Sequence, residues 1–121
     1  IPDPNAQDTF QRSKLDWRER RRAPHAAWLA LTTRLLRLRH DELTPHLAVA
    51  RSGTWSEPSP GTLQLGWPLG DGIHWHLLAR LSDTAGPAEL ARQLPGRVIC
   101  RTDDEAAGLP PWSVIVAREP A

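Results

Sequence analysis

The stretch LQLGWPLGDGIHWHLLARL, Leu63 to Leu81, decides the fold. Leu63, Leu65, Trp67 and Leu69 recur at every second position, the period of a strand with one buried face. Pro68 has no amide proton to give a ladder, so it marks an edge or a strand end. Gly70–Asp71–Gly72 is a turn signal, and Ile73, Trp75, Leu77, Ala79 and Leu81 then alternate in their turn. Two such runs around a short turn predict an antiparallel hairpin, with Trp67 and Trp75 on its inward face.

Outward from the hairpin the chain breaks into short apolar runs separated by turn residues. Leu47 to Trp55 reads as a weak strand and Ser56 to Gly61 (SEPSPG) as a loop. Ser82 to Gln93 begins as a turn and holds one helical turn near Glu89–Gln93. Arg97 to Arg101 is a short strand with Val98 and Cys100 on one face. Thr102 to Gly108 (TDDEAAG) is an acidic loop, and Pro110–Pro111 leads into a last strand through Trp112, Val114 and Val116. Five strands with turn signals between them predict a small antiparallel sandwich or barrel.

The N-terminal part reads differently. Two prolines within four residues exclude a regular helix at the start, and Ile1 to Ala23 reads as a loop carrying Phe10, Trp17 and many charges. Pro24 suits the first turn of a helix. Trp28, Leu31, Leu35 and Leu38 then form an apolar stripe at helical spacing, broadened by Ala27 and Leu36. Arg37, Arg39 and His40 suit the negative end of the helix dipole, so the helix ends near His40, with Pro45 preventing a long continuation. A single helix this apolar needs a partner surface. The fold class is therefore mainly β with one N-terminal helix.

Composition bounds the function. The 121 residues make one domain at most, and twelve prolines and eight glycines make it loop-rich. Ile at the first position and the lack of any Met suit a piece of a longer protein. A net charge of +1 selects no partner, and the run Arg18 to Arg22 includes Glu19, so a solvated loop is a better reading than nucleic-acid binding. The lone Cys100 allows no internal disulfide and favours the cytoplasm. No apolar run reaches membrane-spanning length.

Few residues offer chemistry. His74 and His76 share a strand face, yet a structural zinc site wants about four ligands. They read instead as facing solvent or a neighbouring domain, opposite the core residues Ile73, Trp75 and Leu77. Cys100 in a short apolar strand reads as an inert thiol rather than a nucleophile. Glycoside hydrolysis needs two carboxyl groups of unlike pKa. Asp3, Asp8 and Asp16, and Asp103, Asp104 and Glu105, give no setting that separates them. No catalytic residue, metal ligand or cofactor is therefore expected here. Six tryptophans against one Phe are unusual. Trp28, Trp67, Trp75 and Trp112 fall on predicted inward faces, which leaves Trp17 and Trp55 as the candidates for stacking on sugar rings.

Four pieces together carry a resemblance: DPNAQDTFQRSKLDW (Asp3 to Trp17), HAAWLALTTRLLRLRH (His25 to His40), LTPHL (Leu43 to Leu47) and LPPWSVIV (Leu109 to Val116). In this order they resemble the C-terminal region of the maltooligosyl trehalose trehalohydrolases, glycoside hydrolases of the α-amylase family. The resemblance implies that residues 1–42 are the last loop and helix of a (β/α)8 barrel and that 43–121 form a C-terminal β-sandwich. It implies hydrolysis of the α-1,4 bond next to a terminal trehalose unit. The catalytic carboxylates would lie upstream, no cofactor would be needed, and the partner would be the barrel of the same chain. The substrate would be maltooligosyl trehalose or a maltodextrin. A non-catalytic carbohydrate-binding or interaction module, or the end of a branching or debranching enzyme, stays open beside it.

Overall fold

The structure, a computed structural model, describes residues 3–103 and 108–120. The chain forms two compact units, Ile1–Arg37 and Leu38–Ala121.

The first unit is more regular than its sequence suggests. The stretch read as a loop contains helix α1 (Gln7–Ser13) and a 3-10 turn at Trp17–Arg21. Once Pro4 is passed nothing forbids a helix. An Asp8–Arg12 ion pair of 2.9 Å spans one turn of α1, and the Ser13 hydroxyl donates to the Thr9 carbonyl. Asp16 caps the 3-10 turn by accepting from the Arg18 amide at 3.0 Å. Helix α2 (His25–Leu38) follows Pro24, whose carbonyl accepts from the Trp28 amide. No described residue of this unit is buried, so the α2 stripe is uncovered: Trp28 and Leu36 are 65% and 59% exposed. The inward position expected of Trp28 is thus not reached within its own unit.

After Leu38 the helical path continues instead of stopping. A π-type turn runs over Arg39–Leu43 and a 3-10 turn over Thr44–Val49. Pro45 opens the second of these, where a missing amide costs nothing, so it changes the pitch rather than ending the helix. The strand expected from Leu47 therefore begins only later.

The strands of the second unit are β1 (Thr54–Ser59), β2 (Thr62–Pro68), β3 (His74–Arg80), β4 (Arg97–Arg101) and β5 (Val114–Glu119). They form one antiparallel sheet in the order β1-β2-β3-β5-β4. The mainly β architecture matches the expectation. Helical and loop segments lie against the faces of the sheet, among them α3 (Ala88–Arg92), close to the predicted helical turn. The expected β2–β3 hairpin is present, and its register sets Trp67 opposite Trp75, with Pro68 closing β2 opposite His74. Residues expected to be loop, Ser56 to Ser59, belong to β1, which turns into β2 through Pro60–Gly61. Pro58 is tolerated because β1 is an edge strand.

The deepest core lies on the face that the alternation left outside. Leu78, Ile115 and Ala117 are essentially inaccessible, covered by Leu94 and Leu109 and flanked by Leu90 and Ala91. The opposite face, with Leu65, Trp67, Trp75, Leu77 and Val116, is half-buried. Val98 and Cys100 do not share a face: a bulge between them pairs Val98 with Ala117 and Cys100 with Val116. Trp112 is 67% exposed because it precedes β5 in a left-handed conformation, φ 53°, so no strand alternation governs it.

Arg80, at the end of β3, is buried, and among the described residues its hydrogen bonds go to neutral groups. Its guanidinium donates to the Pro60 carbonyl, the Thr62 hydroxyl, and the carbonyl and hydroxyl of Thr84. It thereby joins the β1–β2 turn to the loop after β3. Replacing it strands these acceptors. Arg80→Met is expected to lower stability in urea by about 3 kcal/mol. Arg92→Met, at an exposed ion pair with Glu89, should cost less than about 0.5 kcal/mol.

Candidate functional site

Two candidate regions result, one in each unit. In the first, Trp17 is 72% exposed on its 3-10 turn, beside Arg18, Arg20 and Arg21. The turn is held by its cap: the Asp16 carboxylate takes Nε and Nη2 of Arg18, each at 2.9 Å. The Arg18 guanidinium and amide together hold the Asp16 carboxyl below the usual aspartate range. Nearby in sequence, the Lys14 ammonium sits 4.7 Å from the centre of the Phe10 ring.

In the second unit, Trp55 is 72% exposed on the edge strand β1. Sequence reasoning grouped it with Trp17, but the two belong to separate compact units. Trp28 and Trp112, expected in the core, are as exposed as these two, so exposure alone does not single out a sugar-binding tryptophan.

The half-buried face of the sheet bears a cavity of about 270 Å³. It is lined by Leu43, Leu47 and Ala50 above and by Trp67, Trp75 and Val116 of the sheet. What holds its roof was not legible from spacing. Glu42 reaches Arg97 at 3.1 Å and Arg118 at 3.4 Å, tying the π-type turn to β4 and β5. Two glycines let the roof come close. A Cβ on Gly53 would stand 2.5 Å from the Trp67 ring, and one on Gly70 would stand 2.3 Å from Val49. The lining is apolar, and no charge points to a reacting group.

Among the described residues, Asp3, Asp8 and Asp16 are engaged singly rather than as a pair of carboxylates. Asp8 and Asp16 are exposed and each engaged by an arginine, and Asp3 accepts from the Asn5 amide. Asp104 and Glu105 lie outside the described residues. Cys100 is half-buried, its thiol directed at the Arg101 carbonyl. Among the described residues no three potential ligands gather for a metal ion, and no helix is long and apolar enough to cross a membrane. His76 accepts or donates at 3.0 Å to Glu119, and its ring stacks with that of His74, centroids 6.5 Å apart.

The family described as "Domain of unknown function (DUF3459)" matches residues 50–116, more than half of the chain. The chain belongs to this family. The match opens just before β1 and runs into β5, so it covers the DUF3459 sheet. Two curated relatives are each named malto-oligosyltrehalose trehalohydrolase. The protein of Deinococcus radiodurans is 48% identical over 46 residues, 38% of this chain and 8% of its own. That of Arthrobacter ramosus is 51% identical over 41 residues, 34% of this chain and 7% of its own. The chain thus spans under a tenth of the length of these relatives. No solved structure matches. The resemblance to the C-terminal region of an α-amylase-family enzyme is borne out.

The Asp16–Arg18 pair is open to direct measurement. A depressed carboxyl pKa stabilises the turn fully above the ordinary aspartate value, and that contribution is lost as pH falls through the lowered one. In an NMR titration of side-chain carboxyl carbons, the Asp16 midpoint is expected below 3.8 and should rise in Arg18→Ala.

Proposed function

We propose that this chain is the C-terminal portion of a glycoside hydrolase that releases trehalose from maltooligosyl trehalose. It would do so by hydrolysing the adjacent α-1,4-glucosidic bond. The observation that carries this reading is the near 50% identity to two proteins named for that activity, together with the DUF3459 match. The chemistry needs a carboxylate nucleophile and a carboxylic acid roughly 5 Å apart. Asp8 and Asp16 are instead neutralised at the surface, which supports placing the reacting pair elsewhere in the polypeptide and treating the present segment as structural and inactive by itself.

In this reading residues 1–42 are the last loop and helix of a (β/α)8 barrel, and 43–121 are the terminal β domain. The uncovered stripe of α2 supports a partner surface, and the barrel of the same polypeptide supplies one. In this reading Trp17 and Trp55 are the residues of this segment that meet glucan; their rings are exposed, as stacking requires, a property that Trp28 and Trp112 share. The free Cys100 thiol supports a reducing, cytoplasmic setting. The exposed tryptophans also favour a second reading, a carbohydrate-binding module without catalysis of its own.

The test begins with the mass of the natural polypeptide, by immunoblot of the source cells. A chain several times heavier than 13.5 kDa is expected. That full chain should release trehalose from maltooligosyl trehalose, and residues 1–121 alone should release none. Deleting the sheet unit should lower the melting temperature by several degrees and leave the product identity unchanged. A natural chain of about 13.5 kDa that binds maltodextrin without cleaving it would favour the module.

A further inference from the structure

One half of the deeply buried sheet face is left without apolar cover. Beyond Leu78 and Ala117 the strands carry Thr54 and Ser56 on β1, Gln64 on β2, and His74 and His76 on β3. These side chains line an open groove of about 640 Å³. That volume falls within the roughly 300–1,000 Å³ of small-ligand sites. Pro68 and Pro95 border it. Gly66 lies between β1 and β3 on the same face. A Cβ there would stand 3.6 Å from Thr54 Oγ1 and 3.7 Å from His76 Nδ1, ordinary contact distances, so the fold leaves room for a side chain that the groove lacks.

The two imidazoles are held before any ligand arrives. His76 is fixed by Glu119 at 3.0 Å, and Nδ1 of His74 lies 3.1 Å from the Gly72 carbonyl. The two rings are near parallel, their centroids 6.5 Å apart. The lining holds hydroxyls, an amide and imidazoles, with no Lys, Arg, Asp or Glu. Such a surface offers donors and acceptors at short spacing, with the Glu119 carboxylate bonded to His76. Without Lys or Arg in its lining it does not suit a phosphate.

We infer that this groove binds a neutral polyhydroxylated ligand, a short run of glucose units of an α-glucan. The glucan part of the inference rests on the proposed function; the polyhydroxyl part rests on the lining. The residues assigned to it are Thr54, Gln64, His74 and His76.

The test uses the full-length polypeptide in affinity electrophoresis through gels containing glycogen. Gly66→Val fills the groove floor with a good strand former and removes no polar group, and Gln64→Ala/His74→Ala removes two. Melting temperatures check that both variants are folded. Each variant is expected to bind glycogen about tenfold more weakly than the unaltered chain, Gly66→Val by occupying the ligand's space and Gln64→Ala/His74→Ala by the loss of one or two hydrogen bonds. Unchanged retardation of folded Gly66→Val, or no retardation of the unaltered chain, would overturn the groove. Trehalose release, assayed separately, tests the hydrolase reading. Its absence with groove-dependent retardation would sink that reading and keep the groove.

Discussion

A buried guanidinium that meets no carboxylate among the described residues sets the terms for the second unit. Arg80 reaches its position only because β3 carries it inward at the end of a strand whose last three residues are all buried. A charge in that place requires that its donors be satisfied, and the satisfying oxygens come from Pro60, Thr62 and Thr84. Those residues belong to two separate connections. The geometry of the β1–β2 turn and of the loop leading to α3 is therefore set together, and with them the lid over Leu78 and Ile115. The apolar core supplies most of the driving force. Arg80 supplies the arrangement.

The other face is organised by a different device. The segment from Leu43 to Ala50 has too few apolar residues to seal the Trp67–Trp75 surface, and a cavity remains beneath it. Its attachment comes from one carboxylate, Glu42, shared between two arginines on neighbouring strands. A carboxylate that is largely shielded and shared this way fixes direction more than it adds stability. The two faces of one sheet thus differ in kind: one is covered by hydrocarbon over Leu78 and Ile115, the other is bridged by charge.

The sequence announced the hairpin because Leu63 to Leu81 alternates without interruption around a Gly-rich turn. It did not announce which face would be deeper. Leu65 and Leu77 on one side and Leu78 and Ile115 on the other are equally apolar, and only the placement of Leu94 and Leu109, distant in the chain, separates them. The bulge at β4 and the left-handed Trp112 escaped for a related reason: both break the two-residue period that strand reasoning assumes. Pro45 stops a helix only if the pitch is constant, and here the pitch changes from a π-type to a 3-10 turn at that point. As for the site, the carboxylates carried no signal, and the matching pieces of sequence pointed to the family. A groove of Thr, Gln and His on separate strands has no motif, since it exists only after β1, β2 and β3 are in register.

The two outer strands bear on how this sheet behaves in a crowded solution. An open strand edge is a template on which any extended chain can continue the ladder. On β1 the template is interrupted by Pro58, which presents no donor, and the pairing itself shifts between Ser56 and Ser59. On β4 it is interrupted by the bulge and flanked by Arg97 and Arg101, whose like charges oppose a matching copy. Both margins thus discourage growth into fibrils, and association with other molecules is directed to the faces of the sheet.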